Sequence, residues 1–260
     1  MNVALVNLPA TVPLPHEMHC IDCALYADAG SAHRADCALH AASANPASAS
    51  PRSMLDQLME RAPALQRGAL LYHDALPFNR IYIVRSGALK TVLVSRGGKE
   101  QITGFCLPGD VLGLDSIGNS CYRTTAVALE STTVCGVSYS SLRTLAGSMP
   151  GLQNYLVDLM SGALCNHHHA LLVSGKSSAE ERVAMFLVSL MRRYHSRRLS
   201  RERLRLPMTR CDIGNYLGLA LETVSRVLTR FQQLAILKVQ GRELHIIDSA
   251  YLLRIAQSME

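Results

Sequence analysis

The sequence predicts an α+β chain in three successive parts: a domain of short antiparallel strands, a long helix, and a compact helical third that ends in a hairpin. Three observations predict it. Between about residues 69 and 140, apolar runs of four to seven residues alternate with turn residues, the spacing of an antiparallel sandwich or barrel. From Met149-Pro150 to about Val173, apolar residues recur at helical period. Over residues 209–247, two short helical patterns flank a glycine turn and lead into a hairpin.

Composition sets the outer bounds. A chain of 260 residues holds one large domain or two modest ones. At 48% hydrophobic and 18% charged it can fill a core and is not a disordered tail. No apolar run approaches the roughly 18 residues of a membrane helix. The start, MNVALVNLPATVPLPHEMHC, has no basic region before its apolar stretch, which predicts a cytoplasmic protein without a secretory signal. In a reducing compartment, eight cysteines point to metal, cluster or redox chemistry rather than to a disulfide framework.

Residues 1–50 read as a flexible cysteine-bearing segment that ends in the small-residue linker AASANPASASP (41–51). Residues 52–66 read as a helix, with Met54, Leu55, Leu58 and Met59 at helical spacing. The strand runs are IYIV (81–84), ALKTVLV (88–94), EQITGF (100–105), TTAVALE (124–130) and TTVCGVS (132–138), within a sensor domain at 51–148. The long helix, 149–175, carries two apolar stripes. Leu152, Leu156, Leu159, Ala163 and Ala170 form one; Val157, Met160, Leu164 and Leu171, with His167 in register, form the other. Two stripes imply two partners, the β domain and a second copy of the helix; the alternative is one wide stripe buried within a monomer. A helix over 178–194 and a basic segment from Arg192 to Arg205 follow.

The last third, 176–260, carries all the excess positive charge. It holds 15 Lys and Arg against 8 Asp and Glu, whereas residues 1–175 hold 11 against 12. Such a block favours phosphate backbones through counterion release. Within it, Thr209 and Asp212 stand at N-cap and N3 of a helix whose inner face is Ile213 and Leu217. Gly218-Leu219-Ala220 makes a turn. A second helix points Val224, Val227, Leu228 and Phe231 inward and Glu222, Ser225, Arg226 and Arg230 outward, before a hairpin at Gln240-Gly241-Arg242. This is a winged helix-turn-helix whose second helix suits the major groove of double-stranded DNA. Arg226 can donate two bonds to guanine, Glu222 can accept from cytosine, and Ser225 can serve either way. Arg210 is placed for a phosphate.

These segments resemble the CRP/FNR family of bacterial transcription regulators, and most of all the branch named for the fumarate and nitrate reductase regulator, FNR. QITGF (101–105), GLDSIG (113–118), LMSG (159–162), AEER (179–182), MTR (208–210), DIGNYLGL (212–219) and ETVSR (222–226) carry the resemblance. It implies a cyclic-nucleotide-binding-like β-roll, a dimerisation helix and a winged helix, hence a homodimer on a palindrome of the TTGAT…ATCAA type. For an activator it adds RNA polymerase as a partner. Ala220 departs from relatives that often carry a hydroxyl residue there; as an N-cap it forgoes about 0.5–2 kcal/mol. No nucleophile motif, Walker sequence, dinucleotide fingerprint or His-Glu-x-x-His pattern is present, so the expectation is not an enzyme.

The resemblance also implies a [4Fe–4S] cluster on Cys20, Cys23, Cys37 and Cys135. Cys135 sits in a matching ALESTTVC context. Thirteen residues separate Cys23 from Cys37, where the family has five. The longer loop costs only about 0.85 kcal/mol in closure entropy, and His33, Asp36 and Cys121 are alternative third ligands. Zinc on Cys20, Cys23, Cys37 and one of His16, His19 or His33 is a second reading, and a Cys20/Cys23 thiol switch a third. Cys106, Cys165 and Cys211 read as ordinary thiols. Adjacent helical positions point about 100° apart, so His167-His168-His169 cannot chelate one ion. Where FNR-type relatives commonly place an acid at the seam, His167 predicts a dimer that weakens below about pH 6.5. A cyclic nucleotide is the runner-up ligand, held by Asp110 and Arg123 with Thr124 and Thr125.

Overall fold

The computed structural model describes residues 58–176, 178–196, 200 and 202–257, with backbone alone for 165–176, 196 and 257. Among the described residues, eight strands precede the first α-helix. They are β1 (Met59–Arg61), β2 (Leu70–Tyr72), β3 (Arg80–Ser86), β4 (Leu89–Val94), β5 (Glu100–Cys106), β6 (Val111–Leu112), β7 (Thr125–Ala128) and β8 (Thr133–Ser138). They form two antiparallel sheets, ordered β1-β8-β3-β6 and β2-β7-β4-β5. Between them lie Tyr72, Leu89, Leu112, Tyr122 and Val134. Tyr72 stacks on Tyr122 with centroids 4.0 Å apart and on Tyr82 at 6.0 Å. Burial pushes the hydroxyl pKa values of Tyr72 and Tyr122 well above the ordinary tyrosine range, so both stay neutral.

Two helices follow, α1 (Tyr139–Ser148) and α2 (Pro150–Lys176). They cover the outer face of the first sheet, where Ile81, Ile83 and Val137 meet Leu142, Leu145 and Leu152. Each such side chain contributes about 1.5–3 kcal/mol by leaving water. Within the described side chains the two stripes of α2 separate. Leu152 is buried and Leu156 and Leu159 pack on this cluster, while Val157, Met160 and Leu164 are exposed.

The last third comprises α3 (Ala179–Ser196), β9 (Arg203–Arg205), α4 (Arg210–Leu217), α5 (Leu221–Gln233), β10 (Leu237–Gln240), β11 (Glu243–Ile246) and α6 (Ser249–Gln257). Its three strands form a sheet ordered β10-β11-β9. One apolar cluster runs from Val92, Ile102 and Phe105 of the second sheet into Leu187, Leu217, Val224 and Phe231. The third part is therefore packed onto the β domain through the sheet that α2 does not cover.

One expected element is corrected. The helix expected over 52–66 gives way, at its described end, to β1, which pairs with β8 from Met59↔Val137 to Arg61↔Cys135. The open edge of β8 supplies hydrogen-bond partners, and Pro63 would have interrupted a helix. Among the described residues, no helix is long and apolar enough to cross a membrane.

Candidate nucleic-acid interface and sensor residues

The helix-turn-helix forms as its residues dictate. Thr209 caps α4 by accepting the Asp212 N–H at 3.1 Å, and Asp212 accepts the Thr209 N–H at 2.9 Å, closing a capping box. Gly218 ends α4 at φ 66°, in the left-handed region that glycine adopts without penalty. Gly214 serves through its lack of a side chain, because a Cβ there would lie 2.6 Å from the Leu219 carbonyl oxygen. Ala220 is the N-cap of α5 with an extended backbone and no side-chain cap. Ile213, Leu217, Val224, Val227, Leu228 and Phe231 are buried as expected.

On the outward face, Glu222 and Arg226 are exposed and Ser225 is half-buried. Arg210 Nη1 donates to Ser225 Oγ at 3.4 Å, so the expected phosphate contact and one expected base reader stand side by side. Arg226 Nη2 lies 3.5 Å from Thr223 Oγ1, and Arg230 pairs with Glu180 of α3 at 2.8 Å. Together, Glu180, Thr223, Arg226 and Arg230 line an open groove between the start of α3 and α5. The arrangement presents a charged helix face, unobstructed by the β domain, of the kind that reads base edges.

Cysteines occupy several environments. Cys135 is buried, at 1% exposure, in the middle of β8. Strand alternation puts it on the face of Val137, the face that α1 covers. Cys106 and Cys121 are half-buried and Cys211 is exposed. Among the described residues, no group of three or more His, Cys, Asp or Glu gathers as a metal site. Cys20, Cys23 and Cys37, like His16, His19, His33 and Asp36, lie outside the described residues, as do the side chains of Cys165, His167 and Leu171. Val157, Met160 and Leu164, the residues expected at a dimer face, are exposed.

Of the residues named for the runner-up ligand, Asp110 and Thr124 have partners within the protein. Asp110 accepts the Leu107 N–H at 2.7 Å and pairs with Arg193 of α3, which also donates to the Phe105 carbonyl at 2.7 Å. Asp115 accepts from Thr124 Oγ1 at 2.9 Å, and the Arg123 side chain is exposed.

Comparison with known proteins agrees with this geometry. Residues 63–148 match the cyclic nucleotide-binding domain family and residues 181–255 the Crp-like helix-turn-helix domain family. The transcriptional activator protein anr of Pseudomonas aeruginosa is 42% identical over 227 residues, covering 86% of this chain and 93% of its own. The fumarate and nitrate reduction regulatory protein of Salmonella typhimurium is 41% identical over 202 residues, covering 78% and 81%. The chain belongs to the CRP/FNR family, in the FNR branch. The solved structure of FixK2 from Bradyrhizobium japonicum shares the fold at TM-score 0.71 and 32% identity, over 78% of this chain and 99% of that one. As an FNR-type protein, this chain is a DNA-binding transcription regulator, and its family is one of regulators rather than enzymes.

Sequence reading missed how the CRP/FNR β-roll touches the helix-turn-helix. Lys90 pairs with Asp212 at 2.7 Å, Asn215 bonds to β5 at Ile102 and Glu100, and Glu130 pairs with Arg205 at 2.8 Å and Arg242 at 3.7 Å. Burial raises the Asp212 carboxyl, but hydrogen bonds from Lys90 and Thr209 outweigh it and hold the pKa below the usual carboxylate value. Part of the positive charge of the last third therefore faces the β-roll instead of DNA. The one available signal was that QITGF and DIGNYLGL, which meet here, both carried the family resemblance.

Proposed function

We propose that this FNR-branch regulator is a cytoplasmic, oxygen-responsive homodimer that holds a [4Fe–4S] cluster and reads a TTGAT…ATCAA-type palindrome. As an activator it contacts RNA polymerase. Cys20, Cys23, Cys37 and Cys135 would hold the cluster, which supplies redox- and oxygen-sensitive chemistry when bound.

The observation that carries the sensor reading is the position of Cys135. Its thiol is buried on β8, and β1 pairs with β8 at that residue. The chain preceding residue 58 thus joins the fold at the strand that bears Cys135. From Cys37 to Met59 is 22 residues, a reach of up to about 75 Å, so the N-terminal cysteines can meet it. The donor set of four thiols suits an iron–sulfur cluster and needs no further ligand.

The exposed Val157, Met160 and Leu164 on α2 support the dimer, since three apolar side chains in one stripe gain by covering one another. Two copies related by a two-fold axis would place two α5 helices on two half-sites. Arg226 would bind guanine, Glu222 cytosine, and Ser225 a base edge, with Arg210 on a phosphate.

The test is a visible spectrum with iron and sulfide assays on protein purified without oxygen. The expected result is a broad absorption with about four iron per chain, bleached by air, and absent in Cys135→Ala. Colourless, iron-free protein after anaerobic reconstitution would overturn the cluster.

A further inference from the structure

In the second sheet β5 is the outer strand, so one of its edges presents unpaired main-chain groups. The Asn215 side chain covers that edge. Its Oδ1 accepts the Ile102 N–H at 2.6 Å, and its Nδ2 donates to the Glu100 carbonyl at 3.0 Å. A main-chain amide can only donate and a carbonyl only accept, so the carboxamide has one orientation that satisfies both. It reproduces the pair of bonds that a neighbouring strand would make. Gln101 Nε2 returns a bond to the Asn215 carbonyl at 2.6 Å. One turn earlier on the same face of α4, Asp212 receives Lys90 from β4 at 2.7 Å. Tyr216 adds ring contacts to Phe105 at 5.3 Å and Phe186 at 5.9 Å.

Two consequences follow from the layout. The buried face of α4 packs against α5, whose outward residues Glu222 and Arg226 stay exposed. The contact to β5 therefore leaves the reading face open and is compatible with bound DNA. In addition, α2 lies on one sheet of the β-roll and α4 on the other. A mechanical path runs from the apolar face of α2 through both sheets to α4 and then α5. Adjacent base pairs differ by about 3.4 Å along the duplex and about 34° around it. Small rotations of α5 relative to α2 thus decide which half-site spacing two reading helices can span.

We propose that Lys90, Gln101 and Asn215 are positioning residues for DNA recognition: they lock α4 to the edge of the β-roll and so set the half-site spacing that the regulator selects. Lys90 and Gln101 act through Asp212 and Asn215 and touch no base. The proposal rests on the palindrome-binding dimer described above.

The experiment uses the full chain, purified without oxygen. Its affinity is measured for the TTGAT…ATCAA palindrome, for palindromes with one base pair added to or removed from the spacer, and for a single half-site. Wild type is expected to prefer one spacing. Lys90→Met and Gln101→Ala are expected to lower the ratio of preferred to altered spacing about tenfold, or about 1.4 kcal/mol. Half-site affinity should stay within about twofold, and Lys90→Arg should keep the wild-type ratio. An unchanged ratio in both variants would overturn the proposal. So would a fall in half-site affinity equal to the fall on the palindrome, or a wild type indifferent to spacing. If Lys90→Met failed to fold, Gln101→Ala alone would decide, because its side chain is exposed. A wild type that bound no palindrome would instead overturn the underlying DNA-binding dimer.

Discussion

Ala220→Ser places a hydroxyl at the N-cap of the reading helix, and its effect can be worked from the local geometry. Ala220 has φ −66° and ψ 148°, the extended conformation of an N-cap, and Val224 N–H already bonds its carbonyl at 3.1 Å. The first-turn amides of α5 have no acceptor within the helix. A serine Oγ accepts one of them, which is worth about 1 kcal/mol within a range of about 0.5–2. The side chain at 220 is exposed, so nothing has to move. If the winged-helix part melts together with the β-roll, to which it is bonded, 1 kcal/mol corresponds to a rise of about 2–4 °C in Tm. A part of 60–100 residues melting alone would rise by about 4–8 °C. Differential scanning calorimetry on the full chain reads both the shift and the number of transitions. Ala220→Val is the control, since valine has no acceptor and should bring no gain. An unchanged or lower Tm in Ala220→Ser would refute the placement of the N-cap at residue 220. Half-site affinity should rise by no more than about fivefold, the whole of 1 kcal/mol.

Gly214→Ala puts a methyl 2.6 Å from the Leu219 carbonyl oxygen; the turn must open, at about 1–3 kcal/mol, and a lower Tm with loss of DNA binding is expected in calorimetry and anisotropy. Arg226→Ala should cost about 1–3 kcal/mol of affinity and relax selectivity at one guanine, whereas Arg210→Ala should weaken all sequences alike. This is checked by competition with single-base variants of the palindrome. Asp212 has a folded pKa below its unfolded value. Its contribution is therefore complete above about pH 5 and is lost as pH falls through the folded pKa, below about 4. The stability gap between wild type and Asp212→Asn, from urea melts, should stay constant from pH 8 to about 5 and then narrow.

The reading helix was legible because its signals are local. The capping box lies within four residues, Gly218 marks a left-handed terminus, and the inner positions recur at helical spacing. Likewise the two stripes of α2 follow from periodicity, although only the fold shows that Leu156 and Leu159 pack on the sheet while Val157 and Leu164 face solvent. Strands of two or three residues, such as β1, β6 and β9, are too short to display a period. Their existence depends on partners, as β1 depends on the open edge of β8. The contacts between β-roll and α4 join residues 113 to 122 positions apart, and nothing in either segment alone announces them. In the sequence Asn215 is one residue of the run DIGNYLGL; the edge of β5 gives its carboxamide a task. Asp110 shows the converse: it reads as one holder of a cyclic nucleotide, and only the fold shows its carboxylate paired with Arg193 of α3.

The most direct test of an oxygen-responsive DNA-binding regulator is one anisotropy titration. A labelled TTGAT…ATCAA duplex is titrated with the anaerobically purified chain, and the titration is repeated after exposure of the same sample to air. Specific binding before exposure and a large loss of affinity after it are expected, with a scrambled duplex bound weakly throughout. Equal binding before and after air, or equal binding to the scrambled duplex, would contradict it.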